Sequence, residues 1–143
     1  MIYACKQNDN LHTDWSVYRG DVYNTAYSSL DQINKENVNQ LEVAWTYRTG
    51  DAEAGNHSTI QCNPIIANGI MYVTSPKLKL IALNPATGKE IWKFDPFNGA
   101  QSSGVNRGVT YWESGSEKRI YFSAGPYLYA LNATDGTLST GFG

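Results

Sequence analysis

The sequence is poor in cysteine, histidine and net charge, and each shortage excludes a class of function. Its 143 residues contain two cysteines and two histidines, none at the spacing of a metal site or a disulfide framework. A formal net charge of −2 provides no basic surface for nucleic acid, so no nucleic-acid partner is expected. No apolar run approaches the roughly 18 residues that a membrane-spanning helix needs.

The two cysteines lie in different surroundings. Cys62 belongs to a strand-like stretch, which favours a buried apolar thiol. Cys5 follows the small residue Ala4 and precedes a polar run, an order typical of a lipidated cysteine with a flexible tether after it. We therefore treat Cys5 as a candidate lipid attachment site, although the apolar segment of a signal peptide is absent. Residues 1–13 as a whole are polar and are expected to form a disordered tether.

Aromatic residues are abundant, at 13% of the chain, and they recur in a pattern. The stretch Ile70–Trp92 returns in degraded form at residues 120–136, with matching features 47 to 49 residues apart. The recurring features are Trp45 with Trp92, Tyr72 with Tyr121, Gly88 with Gly136, and Ala82-Leu83-Asn84 with Ala130-Leu131-Asn132. A period near fifty with strand-like phrases is typical of repeated β-sheet units such as propeller blades.

The repeat predicts an all-β fold built from four-stranded antiparallel blades. We expect two successive sheets, at residues 59–94 and 107–131, with Asn68-Gly69 at a hairpin corner of the first. Trp45 and Trp92 are expected on equivalent inner strands. Trp92 should pack against the turn at Thr87-Gly88 of its own blade.

The N-terminal part of the chain is expected to add short elements. Residues 14–18 alternate as a strand does, and in a closed ring they would be free to pair with the last blade. Asn34 is placed to accept a hydrogen bond from the first turn of one short helix, Lys35–Gln40. Residues 41–47 alternate again and predict another strand.

The length of the chain limits how much of a propeller it can form. Propellers have about four to eight blades, and a fifty-residue period fits fewer than three times into 143 residues. We therefore expect residues 14–143 to be the N-terminal part of a propeller, with about two blades and an opening strand. Such a piece leaves strands unpaired, so it should associate with itself.

Three stretches together resemble the pyrroloquinoline quinone (PQQ)-dependent dehydrogenases, the eight-bladed quinoproteins. They are the region from Asp14 to Asp51, the blade phrase ALNPATGKEIWKFDP at 82–96, and Val-Asn-Arg-Gly-Val at 105–109. The first of these looks most similar to the membrane-bound glucose dehydrogenase branch. The resemblance covers nearly everything between residues 14 and 136.

The resemblance implies where the cofactor would bind. Arg107 matches the arginine that pairs with the PQQ carboxylates, and Asn106 precedes it in the same motif. A guanidinium is a planar, permanently charged fork suited to a carboxylate. Gln61 stands where the family commonly has an acidic residue, and Ser103 stands where the glucose-oxidising branch has a histidine.

Other family features are absent or lie elsewhere. Gln101 and Ser102 match the vicinal disulfide of the alcohol-oxidising branch, which this chain therefore lacks. The calcium ligands and the catalytic aspartate of the family lie in blades beyond residue 143. The resemblance therefore implies no catalytic residue and no metal ligand within this chain.

Two functions remain open from the sequence. The first is a periplasmic PQQ- and calcium-dependent dehydrogenase that oxidises a sugar, polyol or alcohol and passes electrons to ubiquinone or a cytochrome. The second is a cofactor-free propeller lipoprotein that serves as an assembly scaffold in the cell envelope. The motif around Arg107 favours the enzyme, whereas the substitutions at Gln61 and Ser103 favour the scaffold.

Overall fold

The structure is a computed structural model that describes residues 14–53, 55, 58–100, 102 and 104–143. The expected tether at residues 1–13, with Cys5, lies outside the described residues. Among the described residues, no helix has the length and hydrophobicity required to cross a bilayer.

The first sheet has four antiparallel strands in sequential order. They are β1 (Ile65–Ala67), β2 (Ile70–Thr74), β3 (Leu80–Leu83) and β4 (Glu90–Phe94). Asn68 and Gly69 join β1 to β2 with φ values of 51° and 72°, the left-handed pair that a tight hairpin requires. The predicted blade and its Asn-Gly corner are thus confirmed.

The second sheet has three described strands in the same sequential order. They are β5 (Thr110–Ser114), β6 (Glu117–Ala124) and β7 (Tyr127–Asn132). After β7 the chain turns back, and Leu138 forms an isolated antiparallel bridge with Leu131. The second sheet therefore repeats the order of the first three strands of the blade and begins a fourth.

The core lies between the two sheets. Ile65, Tyr72, Ala82 and Trp92 face one another across β1 to β4, and all four are buried. The second sheet contributes Ile120, Phe122, Ala124 and Leu131 to the same cluster. Phe94 meets the rings of Phe122 and Tyr129 at centroid distances of 6.1 and 5.5 Å. This layered packing of apolar faces is that of adjacent propeller blades.

Each repeated tryptophan packs against a turn of the next repeat, not of its own. The indole Nε1 of Trp92 donates to the carbonyl of Ala133 at 3.0 Å, and that of Trp45 donates to Pro85 at 3.0 Å. A Cβ on Gly136 would lie 2.6 Å from the Trp92 ring, and one on Gly88 would lie 2.5 Å from the Trp45 ring. Glycine is therefore required at both positions for the indole rings to pack there.

Two expectations about the tryptophans were wrong. Trp92 does not pack on its own turn at Thr87-Gly88, because β4 carries its indole outward to the following repeat. Trp92 also lies on β4, the last strand in the order of its sheet, and Trp45 lies in no assigned strand. The spacing identified the equivalent positions correctly, but it did not identify the packing partner.

The N-terminal segment has less regular structure than the sequence predicted. Its helix is a single 3₁₀ turn, Val38–Gln40, and Asn34 Oδ1 accepts from the amide of Glu36 at 3.0 Å. Trp15 exchanges two backbone hydrogen bonds with Ile66 of β1 in an isolated bridge. The strand expected at residues 14–18 is thus reduced to one paired residue, and in this chain it pairs with the first blade and not with a last one. Residues 41–47 form no assigned strand, because no neighbouring strand is available to pair with them in the described part of the chain.

We expect the isolated 143-residue chain to associate with itself, because its N-terminal segment exposes large apolar side chains. Tyr23 and Val43 are 84% and 82% exposed, and Val22 and Tyr27 are similarly open. Unpaired extended segments with apolar side chains promote association. Multi-angle light scattering should show dimers or larger species that grow with concentration. A monomer at high concentration would contradict this expectation.

Tyr47 and Glu90 connect the N-terminal segment to β4 and should make stability depend on pH. The Tyr47 hydroxyl donates to Glu90 Oε2, which Lys93 Nζ also contacts at 3.2 Å. Burial, the hydrogen bond to Glu90 and its charge raise the pKa of Tyr47 to about 12. The hydrogen bond from Tyr47 holds the pKa of Glu90 below its ordinary 4.5.

Tyr47→Phe should therefore lower the free energy of unfolding by about 1 kcal/mol near neutral pH. Because the pKa of Tyr47 is raised, its contribution to the free energy of unfolding is complete below pH 10 and is lost as pH rises toward 12. Because the pKa of Glu90 is lowered, its contribution to the free energy of unfolding is present above pH 4.5 and is lost as pH falls below that value. Urea denaturation across pH, with the largely exposed Tyr23→Phe as control, should show a variant difference that shrinks at both extremes. A difference independent of pH would rule out the contact.

Candidate cofactor-binding site

The first strands of the two sheets begin side by side, and this contact positions the predicted site. The amide nitrogen and the side-chain Nδ2 of Asn63 both donate to the carbonyl of Arg107, at 3.0 and 3.1 Å. Asn63 and Gly108 form a parallel bridge at the same point. Because Gln61 is two residues before Asn63, the structure brings the segments carrying Gln61 and Arg107 to one end of the sheet pair.

The side chains of Arg107 and Gln61 are available to a ligand. Both residues are exposed, and neither side chain has a hydrogen bond or an ion pair with another described residue. A guanidinium whose backbone is fixed while its five donors stay open fits a planar carboxylate-bearing group. The side-chain amide of Gln61, on the adjoining segment, offers a neutral donor and acceptor. The residues present therefore fit the carboxylates of PQQ.

Both ends of the Asn106 side-chain amide are hydrogen-bonded within the chain. It is buried, its Nδ2 donates to the Ser123 carbonyl at 2.9 Å, and its Oδ1 accepts from the Gly108 amide at 2.8 Å. These bonds tie the backbone on both sides of Arg107 to β6. Within this chain, Asn106 supports the position of Arg107, while its contact with the cofactor stays a prediction.

The remaining predicted positions precede Arg107 in the sequence. Ser103 and Gln101 are outside the described residues. Ser102, between them, donates its hydroxyl to the carbonyl of Lys77 at 2.9 Å. The loop that matches the cofactor-binding segment of the family is thus attached to the turn between β2 and β3.

Sequence reasoning missed a buried carboxylate next to this turn. Asp51 is only 6% exposed, and its Oδ2 accepts from Ser75 Oγ at 2.5 Å and from the Lys77 amide at 3.4 Å. Burial alone would raise its pKa, but the hydrogen bond from Ser75, with the Lys77 amide and the charge of Lys79, outweighs burial and holds the pKa of Asp51 below its ordinary value. The only sequence signal was an acidic residue directly after the predicted 41–47 strand and its Gly50 turn.

No metal centre is apparent in the part of the chain that the structure describes. No group of three or more histidine, cysteine, aspartate or glutamate side chains is arranged there to hold an ion. Cys62, the free cysteine within that part, accepts a hydrogen bond from the Thr74 amide at 3.4 Å and is partly buried. The buried apolar setting expected for Cys62 is thus only partly met.

Comparisons with known proteins identify the family of the chain. Residues 15–143 match the family model described as glucose/ethanol/alcohol dehydrogenase, beta-propeller domain, of the PQQ proteins. The chain is 42% identical over 108 residues to quinoprotein glucose dehydrogenase A of Acinetobacter calcoaceticus, which covers 71% of this chain and 14% of that protein. It is 38% identical to the dehydrogenase subunit of the quinone alcohol dehydrogenase of Gluconobacter oxydans, covering 87% of this chain and 16% of that subunit.

A solved structure shows the same architecture. The quinohemoprotein alcohol dehydrogenase from Comamonas testosteroni superposes with a TM-score of 0.69 at 34% identity, over 87% of this chain and 18% of that chain. The chain thus spans less than a fifth of the length of these relatives. Its two sheets, its inter-blade tryptophans and its family match agree, and the chain belongs to the family of PQQ-dependent quinoprotein dehydrogenases, of whose β-propeller it forms a part.

Proposed function

We propose that the full-length protein containing this chain oxidises a sugar, polyol or alcohol with PQQ, and that this chain binds the cofactor carboxylates. The observation that carries the proposal is Arg107, whose backbone is fixed by Asn63 while its guanidinium pairs with none of the residues that the structure describes. Relatives named as glucose and alcohol dehydrogenases support the same reaction class. Residues 14–143 would supply about two blades of an eight-bladed ring.

The side chains of the proposed site would have different roles. PQQ, when bound, supplies a two-electron acceptor for the oxidation of a hydroxyl group. Arg107 would hold a carboxylate in a charge-assisted pair. Gln61 would add a neutral hydrogen-bond donor and acceptor at a position where the family commonly has an acidic residue. Asn63 and Asn106 would fix the backbone of Arg107, so that less conformational freedom is lost on binding.

The rest of the proposal concerns the metal, the electron acceptor and the location of the protein. We place the calcium ligands and the catalytic aspartate in later blades. The electron acceptor would be ubiquinone or a cytochrome. We propose a periplasmic location, with Cys5 as the residue that would carry a lipid anchor.

Cofactor titration of the apo form of the full-length protein tests the proposal. PQQ added with calcium should bind saturably, at one per chain, and should restore dye reduction with a sugar, polyol or alcohol. The trimethyl ester of PQQ is the matched control, because it keeps the quinone but lacks the charges that Arg107 would pair with. It should bind far more weakly than PQQ. Absence of PQQ binding would instead favour the cofactor-free scaffold.

A further inference from the structure

The buried carboxylate of Asp51 holds the turn between β2 and β3 in one conformation. Its Oδ2 accepts from the Ser75 hydroxyl and the Lys77 amide, as described above. The same Ser75 hydroxyl accepts from the Lys79 amide at 3.0 Å, and the Ser75 amide donates to the Lys79 carbonyl at 2.9 Å. Asp51 Oδ1 has no hydrogen-bond partner among the described residues. A buried carboxylate committed to a turn makes that turn rigid.

The 75–79 turn also contacts the loop that leads to Arg107. Leu78, at its tip, is buried with φ at 61°, a left-handed conformation that a branched side chain keeps only when its surroundings impose it. Leu78 Cδ1 would lie 3.1 Å from a Cβ placed on Gly104, three residues before Arg107. Ser102 donates to the carbonyl of Lys77 at 2.9 Å. The turn therefore supports the loop at two points.

We propose that Asp51 is a positioning residue for the cofactor contact of Arg107, acting through Ser75 and the 75–79 turn on Ser102 and residues 104–107. This inference rests on the proposed PQQ site. The loop is held on one side by the turn and on the other by Asn63 and Asn106. Loss of the support from the turn would let the Arg107 guanidinium leave the position in which it meets a cofactor carboxylate. Asp51 would thus act on Arg107 through the turn and the loop, without direct contact.

PQQ titration of full-length variants tests the chain of contacts. Asp51→Ala should weaken PQQ binding about tenfold, the scale of effect expected when a supporting residue lets a binding group shift. Ser75→Ala should weaken it by a similar factor. Because the two residues act in one path, the double variant should bind PQQ at most about twofold more weakly than the weaker of the two single variants.

Asp51→Asn keeps one acceptor oxygen and should largely rescue PQQ binding. Asp135→Ala, which removes a turn carboxylate bound to Thr137, is the control and should not change affinity.

Hydrogen exchange separates positioning from general loss of stability. In Asp51→Ala, amides of residues 77–79 and 104–108 should exchange faster while those of β2 and β3 keep their protection. Wild-type affinity in both single variants, additive losses in the double variant, or uniformly faster exchange would each overturn the inference. If any one of these outcomes occurs while Arg107→Ala still weakens PQQ binding, the proposed function survives and only the role of Asp51 fails. If Arg107→Ala also binds PQQ normally, the assignment of Arg107 to the cofactor site fails as well, and only the absence of PQQ binding would remove the proposed reaction.

Discussion

Trp92→Ala is expected to lower the free energy of unfolding by about 3–5 kcal/mol, the usual cost of truncating a large buried aromatic. Trp92 is 8% exposed, and it contacts the Tyr72 ring at a centroid distance of 5.9 Å. The carbonyl of Ala133 accepts from both the Trp92 indole and the Tyr72 hydroxyl, each at 3.0 Å. Truncation thus opens a cavity and removes a hydrogen bond between the two repeats.

Urea denaturation followed by far-UV circular dichroism measures the change. Trp112→Ala is the matched control, since Trp112 is 40% exposed and has Arg119 over its ring at 5.4 Å. That substitution should cost about 1 kcal/mol or less. Equal midpoints for Trp92→Ala and the parent protein would mean that the inter-blade contact does not exist in solution.

Arg107→Ala in the full-length protein should weaken PQQ binding by about 2–5 kcal/mol, which corresponds to roughly 30- to 5,000-fold in the dissociation constant. The loss arises because the partner carboxylate remains in the site without its cation. Arg107→Lys should recover only part of the affinity, since an ammonium cannot make the two-pronged contact. Titration of the apo protein with PQQ in the presence of calcium gives the three constants.

A control arginine on β6, outside the Arg107 loop, guards against an indirect effect. Arg119→Ala removes a guanidinium that pairs with Glu117 at 2.9 Å on β6, away from the 102–107 loop. Its PQQ affinity should match that of the unaltered protein. If Arg107→Ala binds PQQ as tightly as this control, Arg107 is not part of the cofactor site.

Local patterns in the sequence were enough to predict the strands of the first sheet. Alternation over residues 70–83, with Asn68-Gly69 before it and Gly88 after it, specifies strands and reversals because each depends on residues that are close in the chain. The second sheet followed from repetition of the same phrase. Residues 41–47 alternate equally well but form no assigned strand, because a strand also needs a neighbour, and alternation cannot show whether one is present.

Contacts between distant segments could not be predicted in the same way. The period placed Trp45 and Trp92 at equivalent positions, yet only the structure shows that each indole lies on the next repeat. The family motif identified Arg107, whereas Asn63, which fixes its backbone, is 44 residues away and carries no local signal. Asp51 was missed for the same reason, because its burial is created by the turn at Ser75.

A crystal structure of the full-length protein with PQQ and calcium is the measurement that tests the central claim most directly. The account predicts PQQ at the end of the sheet pair where Asn63 meets Arg107, with a cofactor carboxylate about 2.7–2.9 Å from the guanidinium of Arg107. PQQ bound elsewhere, with the Arg107 side chain directed into solvent, would contradict it.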